Sequence, residues 1–203
     1  MDIIFEQRLY CPDWRSLNDA VEGTPVFSCR REEVKRYSRY ADQVMKEMDR
    51  IRVCSLSLTF DSHLLWAHYA SGWDGLAIEV ELPQKDGAIR EVEYGGFYYC
   101  ISPSAGTAKE SARRVLTSRH PDWSYEKEVR VFADSEWYQL QSPVKRVIVG
   151  HRMNASMRET LRILCAEKGI PLRKTGVGDE GIDADMVYPL KSGRDEVVPK
   201  IRG

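Results

Sequence analysis

The sequence predicts an α+β fold: a single domain, residues 1–203, with a mixed or antiparallel sheet and flanking helices. Three observations predict it. Segments of helical and of strand periodicity both occur, the strands are short and follow no regular β–α alternation, and 203 residues with 42% hydrophobic content suffice for one ordinary core.

Charge narrows the function classes. Thirty Lys and Arg stand against 31 Asp and Glu, a formal net charge of -1. That balance excludes a binder driven by global attraction to nucleic acid, and with so much apolar content it excludes disorder as the main state. No window reaches the roughly 18 apolar residues of a membrane span, and Asp2 and Glu6 stand where a signal peptide has a basic flank. The expectation is a soluble cytoplasmic protein with no membrane partner. Cysteines 11, 29, 54, 100 and 165 are odd in number and scattered, which reads as reduced thiols. Histidines 63, 68, 120 and 151 lack metal-ligand spacing, so no metal is expected.

The first long element spans residues 31–52, where Val34, Tyr37, Ala41, Val44, Met48 and Ile51 recur at helical steps. Arg30, Arg31, Lys35, Arg36 and Arg39 make its start basic, which suits either a solvated face or an anion site. Residues 53–60 then alternate as a strand. Cys54, Leu56, Leu58 and Phe60 are expected on the core face, and the hydroxyls of Ser55, Ser57 and Thr59 on the other. Asp61-Ser62 caps a short helix over 63–70, stopped near Gly72. Residues 75–82 form a second strand.

Residues 89–101 read as a hairpin turning at Gly95-Gly96, and 105–118 as a helix with Ala108, Ala112, Val115 and Leu116 inward. Residues 123–131 alternate once more, with Glu126, Glu128 and Arg130 on one face. The end of the pattern is a strand over 144–150, a helix over 156–168 opened by the capping box Ser156-x-x-Glu159 and closed by Gly169, and a strand over 170–174. These three suit a crossover between parallel strands. Linker candidates are 83–87 and 176–181.

The residues that could carry chemistry centre on Glu126 and Glu128. Two apart on a strand, they point the same way with carbons about 7 Å apart, so both can reach one ligand. Arg130 beside them can neutralise a phosphate or pair with Glu128. The same pattern also describes a solvent-facing strand with a local ion pair. Trp123 and Tyr125 precede it, and Trp66, Tyr69 and Trp73 surround the short helix, supplying an aromatic frame. His68 reads either as a satisfied core or cap residue or as a donor to a ligand's phosphate or sugar. No triad order, P-loop or G-x-G-x-x-G is present.

Arg8-Leu-Tyr-Cys, Ser16-Leu-Asn-Asp19 with Gly23, Val53-Cys-Ser-Leu-Ser57, Leu65-Trp-Ala-His-Tyr-Ala70, Gly75-Leu-Ala-Ile-Glu79, Trp123-Ser-Tyr-Glu-Lys-Glu-Val-Arg130 and Val147-Ile-Val-Gly150 together resemble domain-of-unknown-function family 2971 of bacteria. The W-x-H-Y and W-x-x-E-x-E-x-R blocks are the most specific parts.

A second resemblance suggests chemistry. The hydroxyl strand, the short aromatic helix, the apolar strand and the later E-x-E-V block look like the core of the ADP-ribosyltransferases that carry S-T-S and E-x-E motifs. That resemblance implies a split sheet and NAD as substrate. Ser55 and Ser57 would frame the pocket, and Glu128 would hold the ribose as an oxocarbenium-like cation develops. Glu126 would serve the acceptor, and Trp66, His68, Tyr69 and Arg130 would complete the cofactor site. Those enzymes grip the NAD phosphates from an early strand, which this sequence is expected to begin after; Arg8, or Arg30 or Arg31, would substitute.

The implied function is an NAD-using ADP-ribosyltransferase or NAD glycohydrolase of a bacterial cell, as a toxin or phage-defence effector, with a protein or nucleic-acid acceptor. The alternative is a non-catalytic module that binds a nucleotide or a partner through the same residues.

Overall fold

A computed structural model describes residues 2–19, 21–27, 29–95, 100–176, 182 and 188–189. In chain order its elements are helix α1 (Asp2–Phe5), strand β1 (Arg8–Tyr10), α2 (Val34–Met48), β2 (Arg52–Ser57), α3 (His63–Tyr69), β3 (Leu76–Glu79), β4 (Ile89–Glu91), β5 (Glu93–Tyr94), α4 (Ala108–Val115), β6 (Ser118–Arg119), β7 (Glu128–Ala133), β8 (Trp137–Gln139), β9 (Arg146–Val149), α5 (Ala155–Glu167), β10 (Leu172–Lys174) and β11 (Tyr188–Pro189). The class is α+β, with mixed and antiparallel strands as expected. The chain divides into two compact units, one from residues 1–8, 59–84 and 139–203, the other from 9–58 and 85–138. One passage between them falls at residues 84 and 85, inside the linker candidate at 83–87.

The first unit is built on the sheet β11-β10-β9-β3. Leu172 pairs with Val147 in parallel, and α5 makes the crossover between β9 and β10 that the periodicity required. The cap of α5 differs from the expected box. Asn154 accepts from the Met157 N–H at 2.8 Å and from the Ser156 hydroxyl at 2.8 Å, so the helix begins one residue before Ser156. Gly169, at φ 66°, ends it as expected. Antiparallel β3 lies on the other side of β9.

Against this sheet Trp66 stacks on Trp73 with centroids 5.4 Å apart, beside buried Ile148 and Ala70. Gly150 is what lets that packing close. A Cβ there would meet the Trp73 carbonyl oxygen at 2.1 Å. Among the described residues no helix is long and apolar enough to cross a membrane.

The second unit has β7 at the centre of an antiparallel sheet, flanked by β2 and β4. The apolar stripe of α2 narrows to Tyr40, Val44 and Met48, continues at Ile51, and packs with α4 residues Ala112 and Val115. Val34, expected on the stripe, is exposed, because residues Arg31–Glu33 form a 3-10 turn and α2 starts only there. The basic residues Arg30, Arg31, Lys35, Arg36 and Arg39 are exposed to solvent.

Four expectations change in this unit. The helices α2 and α4 pack on Val53 and Phe132, at one end of the face that continues to the exposed Ser55 and Ser57, and not on the Cys54 and Leu56 face. β2 stops at Ser57, leaving Leu58 exposed. The expected hairpin is absent within 89–94: β4 pairs with β7, and β5 pairs in parallel with β6. Gly96 of its turn lies outside the described residues. The expected strand over 123–131 is a 3-10 helix (Pro121–Glu126) followed by β7, because Lys127 adopts the left-handed conformation at φ 44° and redirects the chain.

Candidate functional site

The left-handed turn at Lys127 decides how the two glutamates meet. On a straight strand they would share a face by alternation; here Glu126 closes a 3-10 helix and Glu128 opens β7. Their carboxylates converge nevertheless, because both accept from Nη1 of Arg119, Glu128 at 2.8 Å and Glu126 at shorter range. Arg119 stands on β6, its guanidinium carbon 4.4 Å from the centroid of the Trp123 ring, and its Nη2 donates to Asn18 at 3.3 Å.

Arg130 supplies the second clamp. Its Nε donates to Oε1 of Glu128 at 2.8 Å and its Nη2 to Oε2 at 3.0 Å, a fork-on-fork pair. Its Nη1 donates to the Leu116 carbonyl, and Nη2 also contacts Glu22. Glu22 is brought inward by the turn at Gly23, where φ is 73° and a Cβ would strike the Trp14 ring at 2.5 Å. Glu22 also lies 3.7 Å from Nε of Arg119.

The register of β2 and β7 adds the hydroxyls. Ser55 stands opposite Arg130 and Ser57 opposite Glu128. The Ser57 hydroxyl donates to the Glu126 carbonyl at 2.6 Å, and the Ser55 hydroxyl helps to lower the Glu128 carboxyl. The Glu128 N–H donates to the Tyr94 hydroxyl at 2.8 Å. Ser55 and Ser57 are exposed, while Trp123, Tyr125 and Tyr94 are half-buried. Beneath them Arg130, Glu128, Arg119, Glu126 and Glu22 are exposed by 0%, 4%, 4%, 5% and 9%.

Electrostatics in this cluster pull in opposite directions. Burial works to raise the Glu128 carboxyl, but the hydrogen bonds and charge of Arg130, the Ser55 bond and the charge of Arg119 outweigh it and hold the group below its ordinary value. Glu22 goes the other way, raised by burial beyond what the two guanidiniums recover. Arg119 is held firmly protonated: burial opposes its charge, and the Glu128 and Glu22 carboxylates more than offset that. Three carboxyls thus face two guanidiniums within one closed group.

Of the residues singled out from sequence, Ser55, Ser57, Glu126, Glu128 and Arg130 thus meet in the second unit. Trp66, His68, Tyr69 and Arg8 belong to the first. Trp66, expected in a ligand-facing frame, is instead a core residue at 2% exposure whose indole N–H donates to the Phe60 carbonyl at 2.6 Å. His68 and Tyr69 are exposed, their rings 6.5 Å apart edge to face. Arg8, expected as a phosphate grip, donates to Asp2 at 3.0 Å.

Sequence reasoning missed Arg119, Glu22 and Tyr94. Glu22 precedes a glycine that had already attracted notice, but 97 residues separate it from Arg119, and no local periodicity links them. No family model, characterised protein or solved structure matches the chain.

Proposed function

We propose that the second unit is a non-catalytic nucleotide-binding module, its ligand lying along the exposed Ser55 and Ser57 edge beside Tyr94, Trp123 and Tyr125. The saturation of Glu128 carries this reading. A carboxylate offers about four acceptor positions. At Glu128 three of them are taken by guanidinium N–H bonds, and the Ser55 hydroxyl acts on the carboxylate from the facing strand. A carboxylate so held, and closed from solvent, makes a rigid wall and a poor partner for a reacting ribose. The rim suits a nucleotide: hydroxyls bond sugar or phosphate oxygens, and half-buried aromatic rings stack on a base.

A second reading is favoured by Ser55 itself. It is the one neutral group among those that lower Glu128, a weaker partner than a guanidinium, and it is exposed. A ribose hydroxyl that displaced it would face an ionised carboxylate suited to stabilising an oxocarbenium ion, with Glu126 placed toward an acceptor. That is the chemistry of an ADP-ribosyltransferase or NAD glycohydrolase with NAD as substrate, acting as a bacterial effector.

Titration with NAD and ADP-ribose, followed by tryptophan fluorescence and calorimetry, tests the first reading. Saturable binding is expected without nicotinamide release, weakened about 5- to 100-fold by Tyr125→Ala if that ring stacks on the base. No response to either ligand sinks it. Nicotinamide release by the wild type, lost in a folded Glu128→Gln variant, establishes the second reading in its place.

A further inference from the structure

Outside this cluster, the second unit brings two cysteines together from distant parts of the chain. Asp13 pairs with Arg52 in an antiparallel bridge, and the Val53 N–H donates to the Pro12 carbonyl at 3.0 Å. Continuing that register by two residues sets Cys11 directly opposite Cys54. The hydrogen-bond pattern makes this a non-hydrogen-bonded pair, the cross-strand position where Cα atoms come closest, about 4.5 Å.

Two further observations agree. The Cys11 N–H turns away from β2 to the Glu136 carbonyl at 2.8 Å, and Arg52 and Asp13, on the same face one step along, form an ion pair at 3.3 Å. The Cys11 thiol donates to the Leu9 carbonyl at 3.8 Å. The influence of each thiol on the other pushes Cys11 below the usual thiol range and Cys54 above it. Cys11 is fully buried and Cys54 half-buried.

We propose that Cys11 and Cys54 form a thiol–disulfide site that a small two-electron oxidant, hydrogen peroxide, closes into an intramolecular bond. The pair spacing falls within the roughly 4.4–6.8 Å of Cα separation that a disulfide spans. Cys11 gives up its proton and its sulfur attacks one peroxide oxygen; the S–O bond forms as the O–O bond breaks, and the departing hydroxide takes the proton as water. The Cys54 sulfur then attacks the Cys11 sulfenic acid. The S–S bond forms, the S–O bond breaks, and the Cys54 proton leaves with the hydroxyl as a second water. Two thiols and one peroxide give one disulfide and two waters. A peroxide-sized oxidant suits a nucleophile that is buried behind its resolving partner.

Limited peroxide treatment of the folded full-length protein, followed by alkylation in denaturant and peptide mapping, tests this. The expected result is loss of alkylation at both Cys11 and Cys54, a linked peptide lighter by two hydrogens, and full reversal by dithiothreitol. Cys54→Ser should remove the linked peptide and leave a dimedone-reactive Cys11. Recovery of alkylatable Cys11 and Cys54 after exposed Cys100 has been oxidised overturns the proposal, as does a linked peptide joining any other pair. The wild-type map decides the matter even if Cys54→Ser fails to fold.

Discussion

Arg119 and Glu128 stand nine residues apart in the chain, on different strands, and meet at 2.8 Å with both side chains closed from solvent. The contact joins β6 to β7 across the 3-10 helix and the left-handed Lys127 between them. A pair this buried is costly to form and more costly to break, because removing one partner leaves the other charge unpaired.

Arg119→Met is therefore expected to destabilise the protein by about 3–5 kcal/mol, since it strands Glu126 and Glu128 together. Arg119→Lys should recover only part of this, because one ammonium cannot reproduce the planar fork that reaches both carboxylates and Asn18. Urea denaturation of the two variants measures the difference; equal midpoints would show that the charge alone matters.

Stability should depend on pH through two groups of opposite sign. Glu128 titrates below its ordinary value near 4.5 in the folded protein, so its contribution is present above that value and is lost as pH falls through the lower, folded one. Glu22 is raised, so its contribution is complete below the ordinary value and is lost as pH rises through the folded one. Urea midpoints against pH should show Glu128→Gln with a weakened acid limb. Glu22→Gln should flatten the fall on the alkaline side of 4.5. An acid limb unchanged in Glu128→Gln would refute the assignment of that limb to this carboxylate.

Gly150→Ala places a methyl group where the Trp73 carbonyl oxygen already stands, and neither atom belongs to a flexible side chain. Overpacking of this kind costs about 1–3 kcal/mol. Thermal denaturation should register it, and near-ultraviolet circular dichroism should show a weakened signal from the stacked Trp66 and Trp73.

Ser57→Ala removes one hydrogen bond to the Glu126 carbonyl and should cost about 1 kcal/mol. Ser55→Ala opens one acceptor position on Glu128. The binding reading expects it to weaken NAD binding by the loss of a rim hydroxyl; unchanged affinity would remove Ser55 from the ligand edge.

Much of the framework was legible in residue order alone. The α2 stripe, the α5 crossover between β9 and β10 and the Gly169 stop follow from local periodicity and capping, which a short window of sequence records. The missed features share one physical character. Glu22 and Arg119 are charged residues whose burial depends on each other and on Arg130, and no propensity marks a charge as buried before its partner arrives. Lys127 carries no glycine signal for its left-handed backbone, and that turn is fixed by the strands and ion pairs on either side. Trp66 illustrates the same limit from the apolar side, since an aromatic residue on a short helix serves a ligand or a core equally well until Trp73 stacks against it.

The sequence by itself determined the α+β class, the main helices, several of the strands, and a pair of glutamates accompanied by an arginine and two serines. Only the tertiary structure decided what those glutamates face. Burial is a property of the packed chain, and it converts a pattern that would be a solvated strand into a closed network where Arg119 and Arg130 fill the acceptor positions of Glu128.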